Sequence, residues 1–407
     1  KIRRYTNLCT IQNLEVLTVC LKGLPRTETM AAGTSRKISA ASARAHTRRS
    51  SRDRSSKPFP VSGIFSKVVA VLIVAVVAWG YSAIQPSPPK ICGSPGGPPI
   101  TAPRIKLRDG RHLAYTEHGA PRHTAKFKVV YVHGFDCSRL NVARSIPHEV
   151  ALDLGVHVVS FDRPGYGESD PHPNRTLESL AFDIEELADK LEFGPKFFIY
   201  GMSMGGELTW SFIKYIPHRL AGVTLLAPVV NYWWKGLPEA LSKEAFAKVA
   251  LNDQWALRVA HYAPWLTYWW NTRSFFPGSS VISRSPAIFS RQDKEIFSKS
   301  HVNISEIMAE PRKQGEYESL HRDMMINFGT WSFDVMELEN PFKNKEGSVH
   351  VWQGDEDVLV QVELQRYIAQ KLPWIQYHEV EGGGHFCFYN DGLPSTILRA
   401  MLPLEDS

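Results

Sequence analysis

Gly201-Met202-Ser203-Met204-Gly205 is the stretch that decides how this 407-residue chain is read. An apolar run, Phe197-Phe198-Ile199-Tyr200, leads into it, and a helix-patterned segment, 206–216, follows. A serine on so sharp a strand-to-helix turn has its hydroxyl exposed, and glycines flank it where backbone segments crowd. Ser203 is therefore the candidate nucleophile. Alone, the pattern is weak, since chance produces it in roughly one chain in eight of this length. It gains force if an acid and then a histidine follow in the chain, each at the end of a strand.

Both follow. Gly354-Asp355-Glu356-Asp357 closes an expected strand at 348–353, and Gly382-Gly383-Gly384-His385 closes another at 377–380. Parallel strands place their C-terminal ends on one edge of a sheet, so Ser203, Asp357 and His385 converge there despite their separation in sequence. Asp357 is the preferred acid and Asp355 the alternative. An imidazole can take the serine proton and return it to a leaving group, while a carboxylate on its far nitrogen fixes the tautomer. Negative charge developing on a substrate oxygen needs two backbone N–H donors; Met204, after the serine, and Phe135, in His133-Gly134-Phe135-Asp136, are expected to supply them.

The elements around these motifs alternate. Segments 104–107 and 112–115 read as a hairpin turned by Asp109-Gly110. Strands are expected at 128–132, 156–161, 197–200 and 223–229. Leu177, Leu180, Ile184, Leu187 and Leu191 form one face of a helix that Thr176 caps and Gly194 ends. Strand and helix in alternation predict an α/β fold with a doubly wound, mostly parallel sheet. Between Asn231 and Phe342 the rhythm breaks into a helical, aromatic insertion holding seven of the eleven tryptophans. These are expected to form mostly the core of the insertion, with some lining an apolar pocket. The core is thus expected over 104–230 and 343–407, with the insertion at 231–342.

The net charge of +6 is uneven: residues 1–67 hold 14 Lys or Arg against 3 acids, and the remainder holds 33 against 38. The body has no basic excess, which argues against nucleic acid as a partner. Met30-Ala31-Ala32-Gly33 reads as a natural start, which would leave 1–29 outside the native protein. Residues 31–67, rich in Ser, Ala and Arg, are expected to be disordered. Residues 68–84 carry no charge and are expected to span a membrane, with the basic flank in the cytosol and the body on the lumenal side of an endomembrane. A plastid or mitochondrial transit peptide is the alternative. Sequons at Asn174 and Asn303 would report lumenal exposure. A Pro- and Gly-rich stretch, 85–103, reads as a linker. Five cysteines show no metal-ligand spacing and are expected to be free thiols, with a bridge involving Cys92, or one between Cys137 and Cys387, left open.

Other polar residues have plainer readings. Asp162 is expected to be structural, Arg163 to brace its loop and His133 to brace the donor loop. His301, His321, His350 and His378 are expected to be satisfied or exposed histidines without a chemical role.

Residues 104–407 resemble the α/β-hydrolase superfamily in the His133-Gly134 motif, the Asp162-Arg163-Pro164-Gly165-Tyr166-Gly167-Glu168-Ser169 loop, the serine turn and the Gly354-to-Asp357 and Gly384-His385 ends. The stretches 88–94 and 217–222 further resemble a group of plant membrane-anchored members. The superfamily resemblance implies a cap domain in place of the insertion and neither metal nor organic cofactor. It implies a serine hydrolase cleaving an ester of a small apolar or lipid substrate. A ligand-binding receptor with slow or no turnover is the alternative, and a lyase or perhydrolase is a third reading. Epoxide hydrolases and haloalkane dehalogenases of the superfamily carry aspartate where this chain has Ser203.

Overall fold

The computed structural model of the chain describes residues 61–298 and 304–404. Residues 1–60, including Cys9, Cys20 and most of the basic tract, lie outside the described residues, as do His301 and Asn303. Helix α1, Val61–Ile84, carries a twenty-residue apolar stretch, Phe65–Ile84, with a mean hydropathy of 2.1 and none of it buried. The stretch overlaps residues 68–84, where the sequence places the span, and includes Lys67. Twenty residues at about 1.5 Å each rise about 30 Å, the thickness of a bilayer core. Among the described helices it alone is long and apolar enough to cross a membrane, a test a signal sequence also passes.

One eight-stranded sheet organises the body: β1 (Arg104–Lys106), β2 (His112–Gly119), β3 (Phe127–Val132), β4 (Val156–Phe161), β5 (Phe197–Met202), β6 (Leu220–Leu226), β7 (Val349–Gly354) and β8 (Ile375–Val380). Their order is β1-β2-β4-β3-β5-β6-β7-β8, antiparallel as far as the β2–β4 pair and parallel from there on. Residues alternate across the strands. On β3, Val130 and Val132 join a core with helices α3 (Leu177–Lys190), α4 (Met204–Tyr215) and, further along, α11 (Val362–Lys371). Val129 and Tyr131 face the opposite core with α2 (His148–Asp153) and α12 (Leu393–Met401). Helices on both faces of a mostly parallel sheet give the doubly wound α/β arrangement that the alternation predicts.

Two local expectations are corrected. Strand β6 stops at Leu226 rather than Val229, because Ala227 takes a positive φ of 38° and Pro228 offers no N–H for a ladder. Thr176 does cap α3, in a reciprocal pair with Ser179, but the left-handed residue that closes its C-terminus is Glu192 rather than Gly194. Glu192 sits at φ 55°, and Glu192 N–H and Phe193 N–H bond back to Asp189 O and Ala188 O, the pattern usually built on glycine.

The stretch read as a linker is held against the body from Lys90 onward. Lys90 N–H donates to Gln314 O, and Cys92 N–H to Gln314 Oε1 at 3.0 Å. Thr101 and Ala102 N–H both donate to the buried carboxylate of Glu168. Between β6 and β7 lie α5 (Glu239–Lys248), α6 (Leu251–Tyr262), α7 (Thr267–Thr272), α8 (Arg291–Ser298), α9 (Ile304–Ala309) and α10 (Arg322–Asn327). Leu257 and Ala260 of α6 and Met324 of α10 pack with Tyr166 and Met204, over the C-terminal ends of the strands.

Candidate active site

Ser203 leaves β5 at φ 55° and ψ −120°, a left-handed turn that a side-chain-bearing residue adopts only under constraint. The constraint is visible. Ser203 N–H donates to Leu226 O at 2.7 Å and Val229 N–H to Ser203 O at 3.2 Å, so the turn is tied to the end of β6. A Cβ on Gly201 would lie 2.5 Å from Thr209 Oγ1, and one on Gly205 would collide with Val132 O and His133 O. Both glycines are therefore required by close approach.

His385 and Asp357 meet this serine. His385 Nε2 lies 2.9 Å from Ser203 Oγ, and Nδ1 lies 2.8 Å from Asp357 Oδ2. Asp357 Oδ1 accepts from Leu359 N–H (2.8 Å) and Val360 N–H (3.0 Å), and Gln353 donates to Oδ2. Asp355 instead accepts from Gly383 N–H and fastens the loop before the histidine. Burial alone would lower the His385 pKa, but Asp357, and behind it Asp293, outweigh burial and raise it. Both His385 and Asp357 are buried.

Phe135 and Met204 line the same cavity as Ser203 and His385. The Phe135 loop is braced from Arg163, whose Nε and Nη2 donate to His133 O and Gly134 O while its Nη1 pairs with Asp323 at 2.6 Å. His133 Nδ1 faces Gly134 O and its Nε2 accepts Arg163 N–H. Burial, then Arg163, holds its pKa well below the ordinary value, so it is a neutral brace.

Two arrangements escaped the sequence reading. Asp293, at the start of α8 in the insertion, is fully buried and accepts from Phe386 N–H (2.8 Å) and His385 N–H (3.3 Å). Ser290-x-x-Asp293 is legible as a capping box, and Ser290 and Asp293 do bond reciprocally; the reach to the histidine loop is not legible. Gly384 leaves the room, since a Cβ there would meet Asp293 Oδ1 at 2.5 Å. Asp136, just past Phe135 and at φ 52°, is held by two guanidinium forks from the insertion. Arg284 donates at 2.6 and 2.8 Å and Arg312 at 2.9 and 2.7 Å.

A cavity of about 570 Å³ opens above Ser203 and His385. Val229, Leu257, Met324 and Phe328 make much of its wall apolar, with Asp253 and three serines as polar points. No tryptophan lines it, which corrects the expectation that some would. Trp234 and Trp331 pack into the sheet core instead, and Trp255 and Trp265 face outward. Among the described residues no cluster of His, Cys, Asp or Glu could hold a metal, and Cys92, Cys137 and Cys387 are free thiols.

The family model described as alpha/beta hydrolase fold matches residues 129–391, more than half of the chain. The chain belongs to the alpha/beta hydrolase fold family. Among its relatives is 3-oxoadipate enol-lactonase 1 of Acinetobacter baylyi, 30% identical over 110 residues, which are 26% of this chain and 41% of the lactonase. The chain thus spans less than half the length of that relative. A poly(3-hydroxyalkanoate) depolymerase of Ectopseudomonas oleovorans is 24% identical over 65% of this chain and 81% of its own length. The crystal structure of the enol-lactonase from Burkholderia xenovorans LB400 covers 73% of this chain and 98% of its own at 18% identity, with a TM-score of 0.52, a likeness of fold.

Proposed function

We propose that the chain is a serine hydrolase that cleaves carboxylic esters of small apolar or lipid molecules, working from a membrane. What carries the reading is the hydrogen-bonded run from Asp357 through His385 to Ser203, set at the floor of an apolar cavity. In this reading His385 Nε2 takes the Ser203 proton as Oγ attacks the acyl carbon. The backbone N–H groups of Phe135 and Met204 receive the resulting oxyanion. Collapse expels the alcohol, protonated by His385, and leaves an acyl-Ser203; water, deprotonated by the same histidine, then releases the acid. Asp357 holds the Nδ1–H tautomer throughout. The raised pKa of His385 suits a base poised to accept and return a proton.

The names of the relatives, an enol-lactonase and a poly(3-hydroxyalkanoate) depolymerase, agree with ester chemistry. The length and hydropathy of Phe65–Ile84 fit a membrane-spanning segment, and the exposed Asn174 is the described sequon that a lumenal body would present for glycosylation. The test is labelling of the detergent-solubilised full chain with a fluorophosphonate probe, beside Ser203→Ala and His385→Ala. Labelling of the wild type alone supports the reading. A folded wild type that stays unlabelled refutes it and favours a receptor that binds without turnover.

A further inference from the structure

Among the described residues of the body, ten large hydrophobic side chains are exposed, and five of them fall between residues 251 and 275: Leu251, Trp255, Tyr262, Trp265 and Phe275. Trp265 is 59% exposed and Phe275 70%. Neighbouring rings join Trp255, Trp270, Phe276, Phe275 and Trp269 into one aromatic run, and Trp265 stands in the turn directly before α7. Trp255 stacks on Trp270 at 6.1 Å, Trp270 on Phe276 at 4.2 Å, and Trp269 meets Phe275 edge-on at 6.0 Å. A contiguous apolar patch of this kind marks an interaction site.

The route of the chain places this surface. Ile84 ends α1, and Lys90 is already bonded to Gln314, so five residues, three of them proline, connect anchor and body. At about 3.1 Å per extended residue the connection reaches no further than ~19 Å. Tyr317, one turn beyond Gln314, lies 5.7 Å from the ring of Tyr268 in α7. The aromatic surface therefore lies on the side of the body from which the anchor leaves.

Its chemistry also suits one partner. Tryptophan and tyrosine favour the boundary between hydrocarbon and water, where one end of the ring is wet. Between Asp253 and Asp293 the sequence has no acid but holds Arg258, Arg273 and Arg291, besides Arg284, which is committed to Asp136. Arg258 lies over the Phe246 and Trp255 rings, and Arg273 is exposed beside Phe275. Arginine beside interfacial aromatics complements lipid phosphates. The same helix that shows Trp255 outward shows the buried Leu257 to the cavity.

We propose that the aromatic surface of α6 and α7 rests in the interface of the lipid bilayer that α1 spans, so that an amphiphilic substrate reaches Ser203 from the membrane rather than from water. This deepens the membrane-anchored reading above and rests on it. The test reconstitutes the full chain in vesicles of phosphatidylcholine and phosphatidylserine whose acyl chains carry a photoactivatable diazirine, with labelled peptides mapped by mass spectrometry. Label in both α1 and residues 251–276 is expected. In the Trp265→Glu/Phe275→Glu double variant the second set disappears while α1 keeps its label. That variant hydrolyses a short water-soluble ester as the wild type does but loses about tenfold or more on a long-chain ester dissolved in the same bilayer. Label confined to α1, label in neither segment, or cross-linking of 251–276 to a second copy of the chain overturns the proposal. Photolabelling needs no turnover, so label in both segments on a chain that fails to react with fluorophosphonate refutes the hydrolase and leaves the docking intact.

Discussion

Replacing Asp293 with asparagine tests whether the insertion merely covers the site or helps to hold it. The carboxylate accepts from Phe386 N–H at 2.8 Å and from His385 N–H at 3.3 Å, and it is one of the charges that raise the His385 pKa. The shorter bond is charge-assisted, worth about 1.5–3 kcal/mol, and the longer one adds little. Asparagine keeps a neutral acceptor and so forfeits roughly half, ~1 kcal/mol. Felt wholly in the placing of His385, that costs about five- to tenfold in kcat. Removing the charge also lowers the His385 pKa, so the acid limb of kcat/KM moves to lower pH. The assay is the pH profile of the full chain in detergent on a p-nitrophenyl ester, with thermal unfolding of the same samples. An unmoved acid limb with unchanged kcat, alongside a lower Tm, would falsify the positioning role and leave Asp293 as a helix cap.

The choice between the two acids is open to a paired measurement. Asp357→Asn is expected to lower kcat by about 10³–10⁴-fold, because the His385 tautomer is no longer fixed; Asp355→Asn, which loosens only a backbone contact at Gly383, costs less than about tenfold. Equal losses in the two variants would sink the assignment. A second expectation concerns Glu207, fully buried on α4 with neither carboxyl oxygen bonded. Burial, reinforced by Asp323, holds its pKa well above the ordinary glutamate value. A carboxyl that keeps its proton in the folded state contributes stability below the unfolded pKa and loses it as pH rises towards the folded one. Glu207→Gln removes that loss, so its stability relative to wild type should grow as pH rises above the ordinary glutamate value. A difference that stays flat in denaturant titrations across that rise would show Glu207 to be ionised in the fold.

Much of the site was legible because its parts are local. The serine turn spells itself in five residues, since the backbone crowding at Gly201 and Gly205 admits no side chain. Asp357 and His385 could be placed because each ends a strand of a parallel sheet, and such a sheet brings its strand ends together. Thr176 announced its cap three residues ahead. What the sequence hid depends on long-range geometry. Asp293 reaches a loop 92 residues away and Arg312 an aspartate 176 residues away, and neither distance leaves a periodicity to read. Nor did composition tell which tryptophans turn where: some of the seven in the insertion were expected in the pocket wall, and the wall was built from Val, Leu, Met and Phe instead. The strap of residues 90–102 was missed for the opposite reason, since proline and glycine read as freedom while Glu168 and Gln314, far along the chain, supply the bonds that remove it.

The three side chains Asp293, Arg284 and Arg312 bear on protein engineering. A common route to new specificity is to graft the lid of one enzyme onto the body of another and keep the chemistry of the recipient. Here a foreign insertion would arrive without the carboxylate that seats the histidine loop and without the two forks that close on Asp136 beside Phe135. The wall of the cavity and the contacts that hold the Phe135 and His385 loops therefore share one stretch of chain. New selectivity is better sought by changing single wall residues such as Met324 or Phe328 while those three positions stay as they are.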